Sequence, residues 1–192
     1  MQDSYIDDLL SEATAAGRTG DEALFRALDK IPAPIYVTDA EGLVRYFNPW
    51  CYAFAGRAPV AGKDRWCVTW KLFTCEGAFL PHDRCPMAEA IRQGRPIRGV
   101  TAQAERPDGT RVTFMPFPTP IFSASGELEG AINMLVDITE PRQAQDLREQ
   151  AARCSRLSTQ IGDQQASEAL ALMAVQYTIK ATALQMKEPL AA

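Results

Sequence analysis

Residues 33–49, Ala33-Pro34-Ile35-Tyr36-Val37-Thr38-Asp39-Ala40-Glu41-Gly42-Leu43-Val44-Arg45-Tyr46-Phe47-Asn48-Pro49, decide the fold class. Two runs rich in β-branched and aromatic residues flank Ala40-Glu41-Gly42, so the stretch predicts a β-hairpin turning at the glycine. Asn48-Pro49 stops the second strand and opens a helix, with asparagine as cap and proline at the first helical position. That helix is expected to run from Trp50 to Phe54 and to end at Gly56. Downstream, residues 58–81 are irregular and aromatic (Trp66, Trp70, Phe73, Phe79), which predicts short helical turns and loops. Cys85 to Gln93 reads as a helix ended by Gly94. Strands follow at Ile97–Glu105, Thr110–Phe122 and Glu127–Thr139, the first two joined by Asp108-Gly109, a strong tight-turn signal. Two strands, short helices and then a three-stranded meander make an α+β domain, a five-stranded antiparallel sheet with short helices on one face.

Working outward in the other direction, Asp21 can cap a helix carrying Leu24, Phe25, Leu28 and Ile31, preceded by a short apolar face at Ile6, Leu9 and Leu10. A helical tail starts at Pro141. The expected organisation is an N-terminal helical arm over 1–23, the sheet domain over 24–140 and a C-terminal helical segment over 141–192.

Composition narrows the function. Of the 192 residues 46% are hydrophobic and 23% charged, enough apolar matter for a real core. The net charge of −4 and the lack of any Lys/Arg-rich run argue against direct contact with nucleic acid or anionic lipid. The start, Met1 to Asp8, is acidic without the basic and apolar regions of a signal peptide, and no run approaches a membrane span, so a cytoplasmic location is expected. Five scattered cysteines (Cys51, Cys67, Cys75, Cys85, Cys154) suit a reducing compartment and match no zinc or iron–sulfur spacing, so no metal site is expected. A single histidine, His82, removes His-rich metal centres.

In this order the segments resemble the PAS (Per-Arnt-Sim) sensor family from about Leu24 to Glu140. The opening hairpin, Tyr46-Phe47-Asn48-Pro49, Ala55-Gly56 and Ala61-Gly62, Arg106-Pro107-Asp108-Gly109-Thr110 and the closing Val136-Asp137-Ile138-Thr139-Glu140 carry the likeness. Leu80-Pro81-His82-Asp83-Arg84-Cys85-Pro86-Met87 is similar to a bacterial version of the family. One departure stands out: Arg57 replaces the aromatic residue that usually follows the first glycine. The resemblance implies a PAS fold and a non-catalytic sensory or protein-interaction module of bacterial signal transduction. Such modules are often homodimeric and act on a C-terminal signalling helix and, through it, on a downstream protein. Fold alone does not name a ligand.

Three groups of residues are candidate sites. His82 and Cys85 are where the resemblance implies an alternative haem or redox sensor; the blander reading makes His82-Asp83 a loop contact that caps the next helix. A flavin is not expected, because Arg65-Trp66-Cys67-Val68-Thr69-Trp70 does not resemble the adduct-forming segment of flavin photoreceptors. Tyr46, Phe54, Trp66, Trp70, Ile91, Phe114, Phe117 and Met134 could line a ligand pocket, with Asn133 and Thr113 as orienting polar groups, or could simply be core. Arg92, Arg95 and Arg98 recur every third residue across a helix-to-strand change and read as solvated charge.

The third group concerns dimerisation and signalling: Asp137 and Thr139 at the exit, then Leu147, Ala151, Cys154, Leu157 and Ile161 as a seam. After Gly162-Asp163 a second segment, Ser167 to Lys187, has a broad apolar face with Leu170, Met173, Tyr177, Ala181 and Leu184. That face must fold back or pair with another chain, and pairing is the expectation; Cys154 could lock partners by oxidation, though a buried small residue is the default. No output domain follows Glu140, so the chain is expected to act through a partner or as the input fragment of a larger sensor histidine kinase. Finally, Pro116, Pro118 and Pro120 alternate along one expected strand and remove three donors from the same ladder, so pairing should stop early on one side or bulge there.

Overall fold

Side-chain alternation in the first hairpin sends Tyr36 and Val44 to one face of the sheet and Ile35 and Val37 to the other, and both faces are apolar. The computed structural model describes residues 22–160 and 164–185, in two compact units that divide after Asp137. The first unit contains α1 (Glu22–Asp29), β1 (Ile35–Asp39), β2 (Val44–Phe47), α2 (Trp50–Ala55), β3 (Lys71–Phe73) and β4 (Phe79–Leu80). A single 3₁₀ turn (His82–Arg84), α3 (Pro86–Gln93), β5 (Ala102–Glu105), β6 (Arg111–Pro116), β7 (Thr119–Phe122) and β8 (Leu128–Asp137) complete it. The sheet order is β2-β1-β8-β6-β5-β3-β4, with β7 paired to β8. The neighbouring strands are antiparallel. This is the expected α+β architecture, with the ten-residue β8 at its centre.

Two details differ from the sequence reading. Residues 71–80, expected as loop, form the small β3–β4 hairpin, which extends the sheet beyond β5. The expected strand 110–122 is broken into β6 and β7 by its prolines. Pairing of β5 with β6 ends at Ala102↔Phe114, while β6 continues against β8 to Pro116. The ladder therefore stops early on the β5 side, where alternating prolines supply no donors. Past the break, Ile97 donates its backbone N–H to Pro118 O and Arg98 donates to Pro118 O and Thr119 Oγ1.

The inner face packs Tyr36, Val44, Phe54, Leu72, Met87, Ile91, Phe114 and Leu135 under α2 and α3. On the outer face Ile35, Phe117, Ile132 and Met134 are covered by Leu28 of α1. Asn48 joins these layers. It does not cap α2 with its side chain as expected. Its Nδ2 donates to Leu28 O (3.0 Å) and Ala33 O (2.8 Å), and its Oδ1 accepts from Ile35 N (3.0 Å). A fully buried amide with both its donors and its acceptor used is a strong local constraint.

The second unit is a helical hairpin, α4 (Thr139–Gln160) and α5 (Gln164–Gln185), with Ser167 Oγ donating to Ser158 O across it. Its buried and half-buried positions step by three and four: Ala144, Leu147, Ala151, Cys154 and Ser158 on α4; Ser167, Leu170, Ala174, Tyr177, Ala181 and Leu184 on α5. Most of the expected seam exists, but within one chain. Leu157 lies off it, because the helical repeat brings Ser158 round instead. Ile161 lies outside the described residues, as does the arm 1–21.

Candidate functional site

The eight residues proposed as one pocket do not converge. Phe54, Ile91 and Phe114 belong to the inner core with half-buried Trp66 beside them, while Tyr46, Phe117 and Met134 pack on the outer face with α1. Strand alternation explains the separation, since neighbours such as Phe117 and Pro116 face opposite ways. Tyr46 stacks on Phe25 (centroids 4.2 Å apart) and its hydroxyl reaches Asp29 Oδ1 at 2.7 Å, which fastens α1 to the sheet. Trp70 is exposed, with the Lys71 ammonium 4.2 Å over its ring. Of the three arginines read as solvated, Arg92 pairs with Glu89 and donates to Asp83 O, and Arg98 also lies over the Phe117 ring.

The chemistry gathers instead around His82. Arg57, Asp64, Arg65, Cys67, Thr69, Trp70 and His82 line a cleft of about 250 Å³. The sharp turn after α2 places Arg57, and its Nη2 donates to Asp64 Oδ2 at 2.7 Å. The same Asp64 oxygen accepts the backbone N–H of Val60 at 2.8 Å, so the carboxylate holds Arg57 by one oxygen rather than as a two-pronged fork. Arg57 Nε is buried and has no hydrogen-bond partner among the described residues.

Thr69 Oγ1 donates to Cys67 Sγ (3.1 Å) and lies 3.2 Å from His82 Nε2. A hydroxyl has one hydrogen, so with that hydrogen on the sulfur the ring nitrogen must be the donor, which makes His82 the Nε2–H tautomer. Burial first, and then the Arg57 cation, hold the His82 pKa below its ordinary value of 6.5.

These contacts weigh against the haem alternative. His82 Nε2 is engaged by Thr69, and about 250 Å³ is less than the roughly 300–1,000 Å³ usual for cofactor and ligand pockets. Cys85, the proposed second member, is buried at the start of α3 with its Sγ 3.7 Å from Trp66 O, and is not among the cleft-lining residues. Burial and the neighbouring Cys67 push its thiol up to about 12, far from a reactive thiolate. Nor does His82 cap α3: Cys85 occupies the cap position and no side chain bonds there. No group of three potential metal ligands occurs among the described residues.

From the cleft a line of hydrogen bonds crosses the inner core. Trp66, next to Cys67, has φ +68°, a left-handed conformation that a non-glycine residue takes at a cost. Its N–H donates to Gly42 O at 2.6 Å, and its ring fills the space a Cβ on Gly42 would need, 2.1 Å from the nearest ring atom. The Trp66 carbonyl accepts from Tyr36 Oη at 3.0 Å, and Tyr36 Oη accepts from Asn133 Nδ2 at 3.0 Å. Asn133 Oδ1 accepts the N–H of Phe117, at the break between β6 and β7. Desolvation raises the Tyr36 pKa well above its ordinary value, so the phenol remains a neutral donor. Asn133 sits on β8, which ends at Asp137 two residues before α4 begins at Thr139.

Sequence reasoning singled out His82, Trp66, Trp70 and Asn133 but missed Arg57, Asp64, Thr69 and Tyr36. Arg57 carried a signal, a charge where the fold normally puts an aromatic ring. For Thr69 and Tyr36 no pattern distinguished a hydrogen-bonded core position from an ordinary one.

The sequence profile of the PAS domain matches residues 32–140, more than half of the chain. No curated protein sequence matches well enough to be a relative. Similar solved structures include an RNA-binding light-oxygen-voltage receptor, 19% identical, covering 82% of this chain and 36% of its own, TM-score 0.47. The Rhodobacter sphaeroides LOV protein is 15% identical, with 85% and 95% covered and a TM-score of 0.44. The LOV domain of an Erythrobacter litoralis blue-light activated histidine kinase is 18% identical, with 57% and 99% covered and a TM-score of 0.44. The chain thus spans little more than a third of the RNA-binding receptor.

Proposed function

Because the chain belongs to the PAS domain family, we propose that it is a non-catalytic sensory module that converts a change at the His82 cleft into a change at the helix beginning with Thr139. The observation that carries this reading is the buried line His82, Thr69, Cys67-Trp66, Tyr36, Asn133. It starts at the cleft and ends on the strand that runs into α4. Buried polar networks of this kind specify one arrangement of a core, and altering one member shifts the rest. Trp66 adds strain that a small displacement can release.

The output is association. Leu172, Val175 and Ile179 lie at i, i+3 and i+7 on α5 and are 61%, 55% and 63% exposed. A second copy of the chain covers this stripe in our reading, and Leu147, Leu170, Cys154 and Tyr177, which line the seam inside one hairpin, set the geometry of that surface. Cys154 then acts as a small buried side chain and not as a redox lock. No helix among the described residues is long and apolar enough to cross a membrane, and all five cysteines are free thiols, which supports action in the cytoplasm on a downstream signalling protein.

Amide exchange tests the transmission step. His82→Ala should change exchange over Ile132–Asp137 and the first two turns of α4 in the parent protein, and Tyr36→Phe should abolish that response without unfolding the sheet. Identical responses in the two backgrounds would overturn the reading.

A further inference from the structure

We propose that the cleft between Arg57 and His82 is a binding site for a short-chain monocarboxylate, of the size and polarity of a small hydroxy or keto acid. The proposal rests on the sensory reading of that cleft and adds its ligand.

Size sets the first limit. About 250 Å³ corresponds to roughly eight waters at about 30 Å³ each, so a nucleotide, flavin or porphyrin is too large and a three- or four-carbon acid is suitable. Charge sets the second. Arg57 and Arg65 supply two positive charges and Asp64 one negative, with His82 neutral, so the walls carry a net +1 that one carboxylate balances and a phosphate dianion exceeds.

Geometry supplies the third argument. Nη2 of Arg57 is held by one oxygen of Asp64, itself shared with Val60 N, and lies 3.4 Å from Thr69 O, so the guanidinium is fixed in the cleft wall without a two-pronged carboxylate partner. A guanidinium without a forked partner retains donors for a second carboxylate, the acceptor its planar geometry fits. Thr69 and His82 in the same wall can orient a hydroxyl or keto oxygen at the adjacent carbon, and the Trp70 ring offers a face to the short alkyl part. A ligand oxygen drawing on His82 or Thr69 would disturb their 3.2 Å contact, which is the first link of the line toward β8.

His82 is the chain's one histidine, so its ring resonances report on the cleft without ambiguity. The experiment is an NMR titration of the whole protein with lactate, pyruvate and propionate, and with succinate and inorganic phosphate as comparators, at constant pH and ionic strength. Saturable shifts of the His82 ring and the Arg57 Nε–H signal are expected with lactate or pyruvate, with propionate and phosphate at least tenfold weaker. Arg65→Gln, at an exposed position, should weaken binding about tenfold and leave the fold intact; Arg57→Gln should abolish it. Absence of saturable shifts with every monocarboxylate, or equal affinity for phosphate, or binding that survives both substitutions, would overturn the proposal. Binding at the cleft with no change in amide exchange over α4 would instead leave this site standing and remove the transmission reading.

Discussion

The sheet unit and the helical hairpin bury opposite kinds of side chain. In the sheet unit Tyr36, Phe114, Phe117, Leu28 and Met134 are inside, and the side chains of Tyr36, Asn48 and Asn133 kept with them are hydrogen-bonded. Among the described residues of the hairpin the buried ones are alanines (Ala144, Ala151, Ala181), while Leu172, Val175 and Ile179 face outward. A unit that encloses its large apolar groups can stand alone. One that packs on small residues gains little from burial, at about 25 cal/mol per Å², and leaves its larger apolar surface for another occupant. The difference separates a part that encloses large apolar side chains from a part that leaves Leu172, Val175 and Ile179 exposed.

The largest blow to the self-sufficient half should be Asn48→Ala. It strands buried Ile35 N and half-buried Ala33 O, at about 1–3 kcal/mol each before relaxation, and leaves Leu28 O with Ile31 N alone, so a loss of about 3–4 kcal/mol is expected. Urea unfolding followed by tryptophan fluorescence reads this unit alone, since Trp50, Trp66 and Trp70 all lie in it. A loss under about 1 kcal/mol would mean that the layers are not joined there.

Next in size is Gly42→Ala. The position has φ +80° and its Cβ would meet the Trp66 ring at 2.1 Å, so either the ring or the hairpin turn must move. Backbone strain of about 1 kcal/mol and displacement of Trp66 together should cost about 2–3 kcal/mol. The same urea experiment measures it, and a blue- or red-shifted native emission should accompany it. Stability within about 0.5 kcal/mol of the parent would place Trp66 outside the constraint.

The hairpin is expected to answer differently. Replacing Leu172, Val175 and Ile179 together by glutamine should leave the urea midpoint of the tryptophan signal unchanged while converting self-associating protein to monomer in sedimentation equilibrium. Unchanged association would assign the stripe to some other occupant. A fall in the tryptophan midpoint would mean that the stripe contributes to the stability of the sheet unit.

The two halves were also unequally legible in the sequence. Hairpin turns, Asn48-Pro49, the helix ended by Gly94 and the proline-broken strand were readable because local chemistry fixes each of them: a missing donor, a fixed φ, a glycine where the backbone turns left-handed. The apolar stripe of α5 was legible as a face needing cover, but periodicity cannot distinguish a fold-back partner from a second chain; α4 covers part of that face, and Leu172, Val175 and Ile179 stay exposed. The cleft was least legible. Arg57, Asp64, Thr69 and His82 are brought together across 26 positions by the path of the chain between α2 and α3, and no spacing rule relates them. Tyr36 and Asn133 are farther apart still, paired only by the register of β1 against β8.

The smallest expected effect tests whether the stable half contains a titrating element at all. His82 has its folded pKa lowered, by burial and then by Arg57, so below its unfolded value of about 6.5 the unfolded chain binds the proton more readily than the folded one. Its neutral form therefore contributes stability that is fully present above pH 6.5 and is lost as the pH falls from there toward the folded value. The slope cannot exceed about 1.4 kcal/mol per pH unit for one proton. Carboxylates of Glu89, Glu105 and Asp108, held below their ordinary values by arginine or threonine partners, lose their own contributions at lower pH and would blur a single curve. The useful quantity is the difference between the parent and His82→Gln, measured by urea unfolding between pH 7.5 and pH 5.5. It should be flat above the unfolded value and then narrow as the pH falls, because only the parent pays to keep an imidazole neutral inside the cleft. A difference that stays constant across this range would mean that His82 titrates as freely folded as unfolded, and with it would go the argument that the cleft is closed enough to sense what enters it.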